Sequence, residues 1–425
     1  MRVLIVGAGI GGLTTALSLH QAGIEALVVD SAVRLRPLGV GINLLPHAVR
    51  ELTELGLGDA LAELAIPTAE MVHFDRYGGR IWGDPRGRAL GYAWPQYSIH
   101  RGELQMLLLD TVLARLGEGA VRTGTLFEGF EQDGDRVRAR LLDRASGTAE
   151  PFSADALVGA DGLHSAVRAQ LYPDEGAPLW NGIRMWRGLT EAEPILTGRT
   201  LVVAGSNAAA KMVVYPISMR AERRGRALLN WVAEVRVPGD PRGGAADWNR
   251  TGRLEDVLPH FADWRFDWLD VPALLSGAEQ ILEYPMVDRE PVDRWTFGRV
   301  TLLGDAAHPM YPIGSNGGSQ AVLDARVLAY ELATAASPPE GLLGYEKERR
   351  EAANAVVLAC REMPAERVLR LVAERAPHGF ASIEDVLSPE ELTSITSAYL
   401  QTSFTDVEVL NTRQSYTVSG RTQPP

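Results

Sequence analysis

Val3-Leu4-Ile5-Val6-Gly7-Ala8-Gly9-Ile10-Gly11-Gly12-Leu13-Thr14-Thr15-Ala16-Leu17 stands at the start of the chain. An apolar run leads into G-x-G-x-x-G and then into helix-forming residues, which predicts strand, tight turn and helix in succession. Gly7 makes the turn, Gly9 lets backbone approach a pyrophosphate, and Gly12 lets the helix pack on the strand. A helix that begins at such a turn offers unbonded N–H groups and a partial positive charge to phosphates. A second apolar run, Ala26-Leu27-Val28-Val29, ends in Asp30, whose carboxylate can accept hydrogen bonds from a ribose. Strand, helix and acid in register point to dinucleotide binding, with Gly7, Gly9, Gly11, Gly12 and Asp30 as cofactor contacts. The alternative is a glycine-rich turn without a ligand. Which dinucleotide is bound, and for what chemistry, the fingerprint leaves open.

The 425 residues suffice for two or three domains. A net charge of −12 disfavours nucleic acid and anionic membranes as partners. Cys360 is the only cysteine, which excludes an intramolecular disulfide and a C-x-x-C redox pair, and with it the dithiol flavoprotein reductases. The N-terminus lacks a basic segment followed by a long apolar one, and no apolar run approaches a membrane span, so a cytoplasmic location is expected. No metal ligands are assigned.

Farther on, Arg36-Pro37-Leu38-Gly39-Val40-Gly41-Ile42-Asn43-Leu44 reads as a loop passing close to something, with a helix from about Pro46 to Leu55 after it. Gly83 to Trp94 is rich in Gly, Pro and Arg and predicts an exposed connection. Residues 120–160 predict short strands separated by Asp133-Gly134-Asp135 and Ser146-Gly147 turns. From about 180, the β-like runs Met185–Leu189, Thr200–Val203, Met212–Ile217 and Leu228–Val235 predict an antiparallel sheet, followed by a helix around Leu254–Ala262. Trp186, Tyr215, Trp231, Trp248, Phe261, Trp264, Phe266 and Trp268 crowd this region; most are expected in the core, with the rest lining a pocket for a flat substrate. Long helices are predicted from near Gly318 past Leu332 and from about Leu342 to Met363, and a frayed polar tail beyond Asn411.

Two further glycine-centred motifs follow buried strands. In Gly159-Ala160-Asp161-Gly162-Leu163-His164-Ser165-Ala166-Val167-Arg168, Asp161 can cap the next helix and Arg168 can brace the loop through charge-assisted hydrogen bonds. In Leu303-Gly304-Asp305-Ala306-Ala307-His308-Pro309, Asp305 can hold ribityl or ribose hydroxyls, and His308 is read as structural. The stretch Pro312-Ile313-Gly314-Ser315-Asn316-Gly317-Gly318 then opens a helix whose N–H groups could stabilise negative charge on a ring.

In order and spacing these three motifs resemble the class A FAD-dependent aromatic hydroxylases, the group with the p-hydroxybenzoate hydroxylase fold. Residues 36–43, Pro95-Gln96-Tyr97-Ser98-Ile99-His100-Arg101-Gly102-Glu103-Leu104-Gln105 and Asp247-Trp248-Asn249-Arg250 particularly resemble the phenazine-biosynthesis hydroxylases of that group, over roughly residues 1–365. The resemblance implies an α/β fold with an α+β insertion. Residues 1–70, 98–180 and 282–360 would form a discontinuous Rossmann-like FAD domain. Residues 71–97 and 181–281 would form a mainly antiparallel substrate domain, and 361–425 a helical segment and polar tail. Carried onto this chain, it gives the adenosine end of FAD to the opening glycines and Asp30. Arg101 goes to the phosphate and ribityl region and Asp305 to the ribityl or pyrophosphate region. Asp161 and Gly162 belong to a motif linked to both FAD and the nicotinamide cofactor, and Val40, Gly41, Arg168 and Gly304 are further cofactor contacts. Gly314, Ser315, Asn316, Gly317 and Gly318, with Pro309, go to the isoalloxazine. Relatives often carry Ala at the second and fifth places of that Gly-Ser-Asn-Gly-Gly loop. Arg184, Trp186, Tyr215, Trp231, Met310 and Tyr311 are substrate-pocket candidates.

The implied reaction is NAD(P)H-dependent hydroxylation of an aromatic or heteroaromatic small molecule through a flavin C4a-hydroperoxide, in secondary metabolism and with optional loss of a carboxylate. The cofactor carries the hard chemistry, so no catalytic side chain is required. The absence of a second G-x-G-x-x-G argues for a transiently bound NADH or NADPH and against Baeyer–Villiger and N-hydroxylating enzymes. The absence of W-x-W-x-I-P argues against a flavin halogenase. A flavin oxidase or reductase without oxygen insertion, and a non-catalytic protein of the same fold, remain as alternatives. A homodimer is left open as the one protein partner.

Overall fold

The computed structural model describes residues 1–237, 250–395 and 406–418; the Asp247-Trp248-Asn249 part of the resemblance lies outside them. β1 (Arg2–Val6) passes through the glycine turn into α1 (Ile10–Gln21) and β2 (Glu25–Val29). β3 (Gly41–Leu44), α2 (Pro46–Glu54), α3 (Gly58–Leu64) and β4 (Ile66–Thr68) precede the hairpin β5 (Glu70–Phe74) and β6 (Arg80–Pro85). β7 (Gln96–His100) feeds α4 (Arg101–Leu116), then come β8 (Val121–Arg122) and the meander β9 (Thr125–Gln132), β10 (Val137–Asp143) and β11 (Ala149–Ala154). After β12 (Ala156–Gly159) and α5 (Ala166–Leu171), the chain builds β13 (Leu179–Ala192), β14 (Thr200–Gly205), β15 (Ala210–Pro216), α6 (Met219–Glu222) and β16 (Ala227–Arg236). α7 (Leu254–Val257), β17 (Arg265–Phe266), β18 (Leu269–Asp270), α8 (Val271–Ser276) and β19 (Ile281–Asp288) follow. The chain returns through β20 (Thr296–Phe297) and β21 (Val300–Leu302) to α9 (Asn316–Thr334), α10 (Pro338–Glu362), α11 (Pro364–Arg375) and α12 (Val407–Thr412).

A six-stranded sheet runs β20-β21-β12-β1-β2-β8 and is parallel except at β20. Helices cover it, and Val3, Leu4 and Ile5 are all fully buried, which is why its strands read as unbroken apolar runs. The second sheet runs β19-β13-β16-β15-β14-β5-β6, antiparallel except between β14 and β5. Its strands alternate: one face packs on Trp186, Trp231, Phe261 and Trp264, and the other faces a cavity. β19 begins at Ile281 and belongs wholly to this second sheet, so the seven-stranded sheet extends to Asp288.

Three expectations are corrected. α7 stops at Val257 because Pro259 turns the chain into a 3₁₀ segment, Leu258–His260. The stretch Gly83–Trp94 is only in part an exposed connection: Gly83, Arg88, Ala89, Gly91 and Ala93 are exposed, but β6 runs to Pro85, and Arg86 and Tyr92 are buried. Residues 412–418 are not frayed: Arg413 pairs with Glu51, and Tyr416 and Val418 pack on the main core, while residues 419–425 of the expected tail lie outside the described residues.

Met363, with φ of +47°, breaks α10 from α11 just before Pro364. α11 then lays Val368, Leu369 and Val372 over Leu201, Val203 and Tyr215 on the cavity face of the second sheet. Among the described residues no helix is long and apolar enough to cross a membrane.

Candidate active site

A cavity of about 710 Å³ reaches from the opening glycine turn to the second sheet. Gly7, Gly9, Gly11, Asp30, Val40, Gly41, Arg101, Asp161, Gly162, Gly304, Asp305 and all of Gly314 to Gly318 line it, although they come from four distant parts of the chain. Two helices aim their first turns at it, and neither is closed by a side-chain cap: α1 behind Gly9 and α9 behind Ser315. Their N–H groups remain available to an anionic occupant. Ser315 holds φ of +62°, a conformation that a non-glycine residue adopts at some cost and that here turns the loop into α9.

The glycines divide by what surrounds them. A Cβ on Gly12 would lie 1.9 Å from the Gly7 carbonyl oxygen, and one on Gly7 would lie 2.4 Å from that of Ala160. These two are required by packing. A Cβ on Gly9 or Gly162 would meet nothing within 4 Å, so bare backbone faces open cleft there. Such a cradle, with helix N-termini at both ends, fits a dinucleotide.

The carboxylates are held in place. Asp30 accepts from Ala8 N and Ala32 N, both at 2.8 Å. Asp161 accepts from Ser165 Oγ at 2.5 Å and Ala166 N at 2.7 Å, capping α5; burial raises its pKa. Asp305 lines the cleft with its side chain exposed, and partial desolvation beside the protein wall raises its pKa against the opposing pull of His308 and Arg101.

Other candidates lie off the wall. Gly12 is buried beneath the turn, and Pro309 is buried without lining the cavity. Arg168 is buried behind the cleft: its Nη1 donates to the carbonyls of Ala306 (2.9 Å) and Ala307 (2.8 Å), and it pairs with Glu175. It braces the Asp305 turn and does not line the cavity. His308, also buried, is 2.5 Å from Asp324, which in turn accepts from Gly304 N and Arg349.

Three substrate candidates are corrected. Trp186 and Trp231 point to the opposite face of the second sheet, into its core, because their strand parity is that of the buried face. Trp231 satisfies its Nε1 on Thr190 Oγ1. Arg184 shares that parity and stacks over Trp186, 3.5 Å from Glu283. Tyr215, Met310 and Tyr311 do line the cavity. The Tyr215 hydroxyl donates to the Gly41 carbonyl at 2.9 Å, Arg187 donates to the same oxygen, and Gly41 N donates to Asn230 Oδ1 at 2.8 Å. This clamp fastens the loop before β3 to the sheet.

The cavity floor is a set of cross-strand rows. One runs Arg187, Val232, Val213, Val203, His73 across β13, β16, β15, β14 and β5. Beside it lies Met185, Glu234, Lys211. Lys211 is buried between Glu234 (2.9 Å) and Glu366 of α11 (3.0 Å), and these carboxylates hold its pKa above the usual lysine value despite desolvation. His73, Arg86, Gln96, Arg187, Lys211, Glu234 and Glu366 were not among the sequence candidates. A histidine sharing strand parity with Met71 was a faint signal for His73. Lys211, one of two lysines in the chain, was another. The others become neighbours only through sheet register and the placement of α11.

The chain matches the model of an FAD-binding-domain family over residues 1–225 and 272–359. It belongs to that family of FAD-dependent monooxygenases. It is 51% identical over 399 residues to a phenazine 1,6-dicarboxylic acid hydroxylase from Lysobacter antibioticus, covering 93% of this chain and 96% of that protein. It is 34% identical to the aurachin C monooxygenase/isomerase of Stigmatella aurantiaca, covering 83% and 86%. The crystal structure of Klebsiella pneumoniae HpxO with FAD and uric acid aligns with a TM-score of 0.73 at 25% identity, covering 97% of this chain and 95% of that one. The p-hydroxybenzoate hydroxylase type of fold and the FAD-dependent monooxygenase activity expected from the motifs are thus met. FAD is the cofactor, with NAD(P)H and O2 as co-substrates, and the substrate is an aromatic small molecule.

Proposed function

We propose that this monooxygenase hydroxylates a flat, carboxylated, three-ring heteroaromatic, with phenazine acids as the reference substrates. The observation that carries this reading is the apolar tract Val232-Val213-Val203 on the cavity floor, three strands wide and bordered by polar side chains. Two strand spacings, ~10 Å, are about the length of three linearly fused rings. The 51% identity to a phenazine dicarboxylate hydroxylase supports the same class.

FAD, when bound, supplies the redox chemistry and the activation of O2. The α1 N-terminus, Gly7, Gly9, Gly11 and Asp30 would hold its adenosine diphosphate end. Arg101, Asp161, Gly162, Gly304 and Asp305 would hold the middle. Gly314 to Gly318, Val40 and Gly41 would face the isoalloxazine. The partition 1–70, 98–180 and 282–360 for cofactor and 71–97 with 181–281 for substrate is supported by the membership of the two large sheets, with β19 added to the second. Met310, Tyr311, Tyr215 and the valines exclude water from the reacting edge. Burial keeps Tyr215 a neutral phenol, so it remains a donor to Gly41.

The test is purification followed by turnover. A yellow protein absorbing near the flavin maximum should oxidise NAD(P)H faster when a phenazine acid is added, and the product should carry label from ¹⁸O2. The product mass also decides whether the carboxylate is lost. A colourless protein even after added FAD, or a product without label, overturns the proposal; the second outcome favours an oxidase.

A further inference from the structure

The cavity has a polar end that the assignments above leave unused. His73 on β5 closes the valine row, fully buried, with its ring stacked on Trp82 at 3.5 Å and 9° between planes. Neither ring nitrogen has a hydrogen-bond partner, and the residue lines the cavity. Gln96 lines the same end, also buried, with its Oε1 unpartnered. Arg86 is the third wall; it donates to Met71 Sδ at 3.1 Å and lies 3.7 Å from Asp84. Buried polar atoms without partners cost on the order of 1–3 kcal/mol each, so a fold that retains three of them beside a cavity is arranged for an occupant.

At the other end of the row stands Arg187, whose Nε is likewise without a partner while its Nη2 holds Gly41. The two polar ends face each other along the valine tract.

We infer that His73, Arg86 and Gln96 form a carboxylate subsite, and that the ring acid lying on the valine tract is a diacid whose second carboxylate is received there. The inference rests on the ring-acid reading of this cavity. A carboxylate would accept from one His73 ring N–H and draw on the Arg86 charge. The Gln96 amide would present Nε2 by a half-turn of the group, since its two ends are interchangeable in shape. Burial, Arg86 and Lys211 all push the His73 pKa well down, so the ring is neutral and contributes one N–H and one lone pair. The other charges facing it are already matched: Lys211 lies between Glu234 and Glu366, and Asp84 accepts from Trp82 Nε1 as well as neighbouring Arg86.

The experiment uses the FAD-loaded enzyme. Phenazine, phenazine-1-carboxylate and phenazine-1,6-dicarboxylate are titrated while the flavin absorbance is followed, and turnover is measured in parallel. The wild type should bind the diacid at least tenfold more tightly than the monoacid. His73→Phe keeps the flat stack on Trp82 and removes both nitrogens, and it should bring that preference to within about twofold. His73→Gln should restore part of it. Should His73→Phe lose FAD or fail to fold, Gln96→Leu tests the same subsite with the same expected fall in preference. A wild type without preference for the diacid, or a preference unchanged in these variants, overturns the subsite. Tight, His73-dependent diacid binding without labelled product upholds the subsite and overturns the hydroxylation reading instead. Turnover of mono- and diacid with no difference in affinity does the reverse.

Discussion

Lys211 on β15 meets Glu366 on α11 at 3.0 Å, so one buried ion pair ties the second sheet to the helix that roofs the cavity. Glu366 also accepts from Asn207 N at 2.8 Å. Glu366→Gln should release the α11 anchor while Glu234 still neutralises Lys211. The expected loss is about 2 kcal/mol, below the ~3–5 of a buried pair left with no partner. Thermal melts and proteolysis between residues 363 and 375 would check it; unchanged melting and unchanged cleavage would show that the pair does not hold α11.

The opening glycines should separate by experiment. Gly12→Ala puts a methyl group 1.9 Å from the Gly7 carbonyl, so the turn itself must give way, and both stability and FAD content should fall. Gly9→Ala meets open space in the protein, so the apoprotein should melt normally while FAD affinity drops at least tenfold. Equal behaviour of the two variants, measured by melting and by flavin content, would contradict this division.

His47, buried with Nε2 unpartnered, has its pKa pushed down to about 3 by desolvation first and by Arg349 and Arg413 after it. Below pH 6.5 the unfolded chain takes up a proton that the folded one refuses. Stability from this residue is therefore full above pH 6.5 and is lost toward pH 3, at roughly 1.4 kcal/mol per pH unit. His47→Leu should flatten the acid side of the stability curve by about that slope in denaturant titrations between pH 6 and 4. A parallel curve for the variant would contradict it.

Tyr215→Phe removes one of the three hydrogen bonds on Gly41 and leaves the ring volume in place. The folded state should lose about 1 kcal/mol. Because Gly41 lies where the cavity passes from cofactor cleft to sheet, a larger share of NAD(P)H oxidation should end as hydrogen peroxide. Product yield per NAD(P)H measures this, and a yield equal to that of the wild type would mean that Arg187 and Asn230 suffice.

The cofactor cleft was largely legible because its determinants are local. Gly7, Gly9 and Gly12 act through backbone within one turn, and Asp161-Gly162 and Gly304-Asp305 each end a buried strand with a helix or tight turn behind them. Arg168 was expected to brace its own loop and touch the cofactor; it lies behind the wall and holds the Asp305 turn, which depends on where the Ala306 carbonyl comes to rest.

Local runs of residues were enough to specify the strand–turn–helix fingerprints, the alternating strands of the second sheet and the kind of cofactor they serve. Which face of that sheet meets the cavity depends on how its strands pair in three dimensions. A shift of one residue exchanges the two faces of a strand, so Trp186 and Trp231 were as eligible as Met185 and Val232 until register was fixed. The row from Arg187 to His73 joins five strands whose neighbours in space are far apart in the chain. Its chemistry arises from pairing across strands, which no local run of residues encodes.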